Sequence, residues 1–333
     1  MPNDLAQQTT DHAIESFTQA AASASVAGMK RCHILPLFLL AACTPPAVKA
    51  PDAPAASAGP TLPDEASIPA GPEGDAIRRG LAIISDTRAA APEYAGNHLR
   101  CANCHLDAGR KAGAAPLWAA YGNFPAYRAK NGRINSFEKR VQDCFIYSIN
   151  GTPPPFGGEV LLAVSAYAGW LAQGQKIGVS PPGRGFPAIA QPGQAPDDAR
   201  GQALFAKMCA ACHGADGQGM MDGQTVVNPP LWGPNSYNWG AGMAQVDKAA
   251  AFIRANMPLG EGGSLSVQQA WDIAWFIDGQ VRPQDPRLAG SIAATRKAHH
   301  DRPWSRYATK VAAIMLGDPA STPPHHTPNG HEF

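Results

Sequence analysis

Two pentapeptides constrain this chain more than any other feature of its sequence. Residues 101–105 (CANCH) and 209–213 (CAACH) both have the form Cys-x-x-Cys-His, the motif for covalent attachment of c-type haem. Two thiols three residues apart can reach both vinyl groups of one porphyrin, and the adjacent histidine then faces the iron. A zinc site built from two Cys-x-x-Cys pairs is the alternative, but it gives neither histidine a role. The sequence therefore predicts two haem c groups, bound through Cys101, Cys104, Cys209 and Cys212, with His105 and His213 as iron ligands.

Helical patterns surround both motifs in the same order. Before the first motif, Asp75 is predicted to cap a helix, and residues 199–205 predict a helix that runs into the second motif. After the motifs, two closing helices are predicted from apolar residues that share one face: Val160, Val164, Tyr167 and Leu171 in the first, and Val267, Trp271, Ala274 and Trp275 in the second. Ser266 and Gln269 predict a capping box. This order predicts an all-α fold with two tandem class I cytochrome c domains.

Composition and charge set the domain boundaries and exclude some functions. The chain has 333 residues, enough for about two domains. A Pro/Ala-rich linker is predicted over 44–74, and the two cytochrome c domains over 75–175 and 197–283. An interdomain linker is predicted over 176–196, and a C-terminal extension, whose end is expected to be disordered, over 284–333. Lys+Arg number 27 and Asp+Glu 26, a balance that argues against a nucleic-acid-binding protein. No apolar run is long enough for a membrane span.

The N-terminal residues predict export. A basic stretch from Met29 precedes the short apolar run 34–42, as in a signal peptide. Residues 40–43 (LAAC) resemble the lipobox of bacterial lipoproteins, in which the cysteine is lipidated; cleavage that leaves Cys43 unmodified is the alternative. We therefore expect residues 1–28 to lie outside the translated protein and 29–43 to be the signal peptide. A periplasmic protein is expected, tethered to a membrane only by lipid at Cys43.

The sixth iron ligand distinguishes an electron carrier from an enzyme. Met257, followed by Pro258 and the closing helix, lies where a cytochrome c places its axial thioether, and Met243 is the rival. Between His105 and its closing helix there is no methionine, but there is Cys144. A thiolate ligand would lower the haem potential and act as a nucleophile beside an electron acceptor. A small buried apolar residue is the alternative role for Cys144.

Segments in both domains, in order, resemble the dihaem thiosulfate dehydrogenases. In the first domain the similar segments are 124–128 (FPAYR), 139–145 (KRVQDCF) and 148–151 (SING). In the second domain they are 229–236 (PPLWGPNS), 240–243 (GAGM) and 251–258 (AFIRANMP). The similarity extends from about residue 75 to residue 283.

The resemblance implies that the chain joins two thiosulfate ions into tetrathionate and releases two electrons, at a site that can also run in reverse. It implies that His105 and Cys144 ligate the active-site haem. Cys144 would carry a transient sulfur adduct, which a second thiosulfate attacks. Electrons would cross to the haem ligated by His213 and Met257 and leave to a small acceptor cytochrome or similar carrier.

Such a site needs cations, because two dianions must meet in it. The family's positions match Arg128 and Arg140 best, and the planar guanidinium suits a sulfonate. Three further basic residues lie nearby in the sequence: Lys130, Arg133 and Lys139. A solvated basic face is the alternative. Asn256 departs from the family, because some members carry a lysine ligand beside this methionine.

Two other functions stay open from the sequence. One is a dihaem electron-transfer cytochrome without a substrate. The other is a subunit of a sulfur-oxidation complex, which also uses a cysteine-ligated haem but conjugates thiosulfate to a carrier protein's cysteine. Histidines in the C-terminal extension are expected to lie on a surface segment rather than to bind metal; they are His299, His300, His325, His326 and His331.

Overall fold

The computed structural model describes residues 59–223 and 225–322 and has a helical framework. The helices are α1 Pro72–Ser85, α2 Thr87–Ala90, α3 Leu106–Gly109, α4 Leu117–Tyr121, α5 Phe137–Tyr147, α6 Glu159–Leu171, α7 Asp198–Met208, α8 Ala210–His213, α9 Val246–Asn256, α10 Val267–Asp278 and α11 Ile292–Thr295. Short 3-10 turns cover Glu65–Ser67, Cys101–Asn103 and Gly242–Ala244, and a π-helical turn covers Arg296–His300. The predicted all-α class is confirmed.

Within 59–223 and 225–322, three two-stranded antiparallel hairpins, which the sequence patterns did not predict, interrupt the helices. They are β1 Ala126–Arg128 with β2 Arg133–Asn135, β3 Met220–Asp222 with β4 Thr225–Asn228, and β5 Lys310–Val311 with β6 Ile314–Met315. Strands of two to four residues are too short to show an apolar alternation. The first hairpin carries the predicted site residue Arg128 opposite Arg133.

The same helix crossing occurs in both halves of the chain. Helix α1 crosses α6 at Gly80, where an added Cβ would lie 2.1 Å from the carbonyl oxygen of Ala163. Helix α7 crosses α10 at Gly201, where an added Cβ would lie 2.1 Å from the carbonyl oxygen of Asp272. In each pair, the helix before a Cys-x-x-Cys-His motif therefore packs backbone to backbone against the closing helix.

Replacement of either glycine by alanine is expected to destabilise the protein. The methyl group has no space at either crossing, so Gly80→Ala and Gly201→Ala should each lower the free energy of unfolding by roughly 1–3 kcal/mol. Urea unfolding of the haem-loaded protein measures this. Gly242→Ala is the control, because an added Cβ there meets nothing within 4 Å. Equal unfolding midpoints for all three variants would contradict the close crossing.

Two buried clusters form the hydrophobic core of the part of the chain that the structure describes. The second cluster lies between α7, α9 and α10 and contains Phe205, Val246 and Trp271. The first cluster lies around α1, α4 and α6, and it also includes Trp239 and Tyr307. The C-terminal extension thus contributes a fully buried aromatic side chain to the first cluster, rather than only covering the surface.

The start of the folded body differs from the sequence prediction. Helix α1 begins at Pro72 after the N-cap residue Gly71, so the prediction of Asp75 as the cap is wrong; Asp75 lies in the first turn. Leu62 and Ile68 pack against the first cluster. This part of the predicted linker therefore belongs to the folded body, because its apolar side chains pack against buried residues of the first cluster.

The closing helices match their predictions. Val160, Val164, Tyr167 and Leu171 are all buried on α6. On α10, Trp271 and Ala274 are buried, while Val267 and Trp275 pack against the second cluster partly exposed. The capping box of Ser266 and Gln269 is confirmed, because each side chain bonds the other residue's backbone N–H.

Several predictions lie outside the described residues. They are the untranslated stretch 1–28, the signal peptide 29–43 with Cys43, the linker up to residue 58, and His325, His326 and His331. Across 59–223 and 225–322, no helix has the length and apolar character to cross a membrane.

Candidate haem and substrate site

Both Cys-x-x-Cys-His motifs adopt the same backbone turn. The amide of His105 donates to the carbonyl of Cys101 at 2.9 Å, and the amide of His213 donates to the carbonyl of Cys209 at 2.9 Å. The cysteines of both motifs are free thiols. In each motif, the turn therefore brings two thiols and one imidazole close together.

A backbone carbonyl holds each motif histidine. The Nδ1 atom of His105 lies 2.6 Å from the carbonyl oxygen of Ala115, and Nδ1 of His213 lies 2.9 Å from that of Pro229. Because a carbonyl only accepts, each Nδ1 carries the proton and Nε2 keeps its lone pair for a metal. Burial lowers the pKa of His213 and so favours the neutral ring, and it outweighs the hydrogen bond to Pro229, which raises the pKa. These donor sets fit haem c.

Cys144 lies beside the first motif, on helix α5. The hydroxyl of Ser136 caps this helix by accepting from the amide of Lys139 at 3.1 Å. Arg140 and Cys144 then lie one turn apart, and Nη1 of Arg140 donates to Sγ of Cys144 at 3.2 Å. The side chain of Cys144 also contacts that of His105. The structure thus brings together the predicted histidine, cysteine and one predicted arginine.

The electrostatics of Cys144 differ from those of the motif cysteines. Burial acts to raise the pKa of Cys144, but the charge of Arg140 and the contact with His105 outweigh it, and the pKa is lowered. Burial raises the pKa of both Cys101 and Cys104 to about 12. Among these three neighbouring thiols, Cys144 therefore ionises most readily.

Arg128, at the end of β1, belongs to the same positive region. Its pKa is lowered by burial first, and then by the charges of Arg140 and Arg184. Lys139 is instead paired with Asp143 at 2.8 Å, and Arg133 is exposed on β2. The structure therefore groups Arg128 and Arg140 with Cys144.

Sequence reasoning missed Arg184 as a member of this group. It lies in the segment 176–196, which we predicted as a linker from its glycines and prolines. In the structure this segment packs on the loop after the first motif: Gly183 and Gly185 accept hydrogen bonds from the amides of Gly113 and Ala115. No sequence signal marks Arg184, since its position depends on how the segment folds back.

The loop that holds His105 is also linked to the segment that carries Met257. Nδ2 of the buried Asn256 donates to the carbonyl oxygen of Gly113 at 3.3 Å. Met257 follows directly, at the end of α9, and packs against the second cluster. Met243, the rival ligand, contacts both clusters. The side-chain amide of Asn256 therefore links the segment that carries Met257 to the loop after the first motif.

The C-terminal histidines form no metal centre in the described part of the chain. The expected surface position is wrong for His300, which is buried because its Nε2 pairs with Oδ2 of Asp285 at 2.7 Å. No group of three or more His, Cys, Asp or Glu side chains suited to a metal ion occurs within 59–223 and 225–322.

Comparisons with known proteins identify the class of the chain. Residues 196–277 match the family model described as cytochrome c oxidase, cbb3-type, subunit III. Together with the motif turns and the helical fold, this match defines the chain as a c-type cytochrome that binds haem covalently.

Several thiosulfate dehydrogenases are similar over most of the chain. The enzyme of Thiomonas intermedia (strain K12) is 51% identical over 259 residues, which cover 78% of this chain and 82% of the relative. The enzyme of Stutzerimonas stutzeri (strain A1501) is 48% identical over 257 residues, 77% and 84% of the two chains. The chain belongs to the thiosulfate dehydrogenase family.

A solved structure also resembles the fold. It is the as-isolated form of the thiosulfate dehydrogenase TsdBA from Marichromatium purpuratum, with a TM-score of 0.76 and 45% identity. The match covers 78% of this chain and spans 57% of the length of the solved chain.

Proposed function

We propose that this chain is a dihaem thiosulfate dehydrogenase, which couples two thiosulfate ions into tetrathionate and passes two electrons to an acceptor cytochrome or similar carrier. The observation that carries the proposal is the contact of Arg140 with Cys144, 3.2 Å apart, beside the motif histidine His105. An ionisable thiol, a cation and a haem-motif histidine at one point suit an anionic sulfur substrate and its oxidation.

Two haem groups would be held by the two motifs. Cys101, Cys104 and His105 would hold the first, with Cys144 as the sixth ligand. Cys209, Cys212 and His213 would hold the second, with Met257 as the sixth ligand. Haem c supplies one-electron redox chemistry, so two such groups can hold the two electrons that the reaction releases.

Cys144 would form and then release the sulfur adduct. Its thiolate joins the terminal sulfur of the first thiosulfate, and the new sulfur–sulfur bond forms as two electrons leave to the acceptor. The terminal sulfur of a second thiosulfate then attacks the adduct sulfur that is bonded to Sγ of Cys144, the Cys144 thiolate leaves, and tetrathionate is formed. Arg140 and Arg128 would offset the repulsion between the two dianions.

The chain would work in the periplasm, attached through lipid on Cys43. A cytochrome c domain is consistent with that compartment, because c-type haem is attached to exported chains. Labelling with a radioactive fatty acid tests the anchor: the intact chain should take up label, and the Cys43→Ala variant should not.

Thiosulfate-dependent reduction of ferricyanide by the purified haem-loaded protein tests the function. Two ferricyanide ions should be reduced for each tetrathionate formed, since each accepts one electron. Absence of turnover, with both haems still reducible by dithionite, would overturn the enzyme and leave an electron carrier or a complex subunit.

Replacement of Met257 by alanine is expected to lower the reduction potential of one haem, because thioether ligation raises it. Axial ligands set haem potentials over about 0.8 V, so a shift on the order of 0.1 V is expected. Spectroelectrochemical titration measures both potentials. Met243→Ala is the matched control, and a shift in that variant with none in Met257→Ala would make Met243 the ligand.

A further inference from the structure

A cavity of about 240 Å³ lies between the loop after β1, residues 239–241 and the C-terminal extension. Its wall holds four cationic side chains and one carboxylate: Lys130, Arg287, Lys297, Arg302 and Asp301. A water molecule's share of liquid volume is about 30 Å³. The cavity therefore has room for a small polyatomic anion and some of its water.

Lys297 and Arg302, two of the four basic side chains, have no carboxylate partner in the described part of the chain. Arg287 is neutralised by Asp285, through contacts of 2.7 and 2.9 Å. Arg302 instead donates to the neutral amide oxygen of Gln245 at 3.0 Å. Within the described ranges, Lys130, Lys297 and Arg302 form no salt bridge. Unpaired cations that face one cavity repel each other unless an anion lies between them.

Lys130 connects the cavity to the Cys144 site. Its ammonium group donates to the carbonyl oxygen of Gly240 and lies 4.3 Å from the ring centre of Tyr147. Tyr147 is the last residue of α5, one turn after Cys144. Burial, and then the charges of Arg287 and Arg140, lower the pKa of Lys130 to about 7. The charge of Arg140, beside Cys144, therefore acts on a lysine of the cavity wall.

We propose that this cavity is a second binding site for the terminal sulfonate group of thiosulfate or tetrathionate, which it holds beside the Cys144 site. The choice of anion rests on the proposed function, whereas the unpaired cations support the site itself. Lys297 and Arg302 are exposed residues of the cavity wall, and their ammonium and guanidinium groups are donors suited to sulfonate oxygens. The second thiosulfate, before it reacts, and tetrathionate, after it forms, both carry a terminal sulfonate group.

Calorimetric titration of the haem-loaded Cys144→Gly variant tests the site without turnover. Thiosulfate, tetrathionate and sulfate are the probes, each titrated at fixed ionic strength. Adding Lys297→Gln and Arg302→Gln should weaken binding of thiosulfate or tetrathionate at one site by at least about tenfold, as expected for lost hydrogen bonds to charged groups. Tighter thiosulfate would make it a substrate site, and tighter tetrathionate a product site.

Lys207→Gln with Lys310→Gln is the matched control, because both lysines are exposed and lie outside the cavity wall. Equal binding in the cavity and control variants would overturn the site, as would sulfate binding as tight as either sulfur anion. Ferricyanide turnover of the wild type is measured separately. Cavity-dependent binding without turnover would overturn the proposed function alone, and turnover without cavity-dependent binding would overturn the site alone.

Discussion

The Cys144→Gly variant is expected to lose thiosulfate oxidation while both haems stay attached. The substitution removes the thiol that would carry the sulfur adduct, so kcat should fall by at least about 10³-fold, in the range seen when a covalent nucleophile is removed. The cysteines expected to attach the haems belong to the two motifs, and Cys144 is not one of them. Steady-state ferricyanide kinetics measure the rate, and intact mass counts the haems.

The Cys144→Ser variant is the matched control for shape. It keeps a side chain of similar size but replaces the thiolate with a weak nucleophile, so it should be as inactive as the glycine variant. A glycine variant with more than about a tenth of the wild-type rate would show that the oxidation does not require Cys144.

Replacement of Arg140 by glutamine is expected to reduce kcat/KM for thiosulfate by about 10²-fold. The guanidinium donates to Sγ of Cys144, the proposed nucleophile, and loss of one charge-stabilising donor in an active site costs about 10²–10³-fold. Arg140→Lys should recover only part of the loss, because it restores the charge but not the planar fork. Steady-state kinetics at several salt concentrations measure both variants.

Arg133→Gln is the control for Arg140, because it removes a charge from the exposed strand β2 beside the same site. It should change kcat/KM by less than about threefold, as a screened surface charge does. If Arg133→Gln and Arg140→Gln lower kcat/KM equally, the basic residues act as a solvated face and not as substrate ligands.

Helix periodicity predicted the framework of the fold, and contacts distant in sequence did not follow from it. The face of Val160, Val164, Tyr167 and Leu171 identifies α6, because an i, i+4 spacing is a local property. The crossing at Gly80 depends on which helix lies opposite, and sequence spacing does not contain that. A local signal was available for α1: Pro72 stands at the first helical position, where proline is favoured.

The candidate site shows the same division. Cys101, Cys104 and His105 are recognisable from the sequence because they belong to one short motif. Cys144 was identified as a candidate iron ligand because no methionine lies between His105 and the closing helix. Arg184 and the cavity of the C-terminal extension were not predictable. They depend on segments rich in glycine, proline and polar residues that fold back onto the first half.

The most direct test of the proposed function is a single turnover without an external acceptor. Oxidised haem-loaded protein is mixed with excess thiosulfate under anaerobic conditions, and the haem spectrum and the tetrathionate are both quantified. The proposal predicts that two haem irons per chain are reduced as one tetrathionate forms, and that Cys144→Gly stays oxidised. Haems that stay oxidised in the wild type, or that are reduced equally fast in the variant, would contradict it.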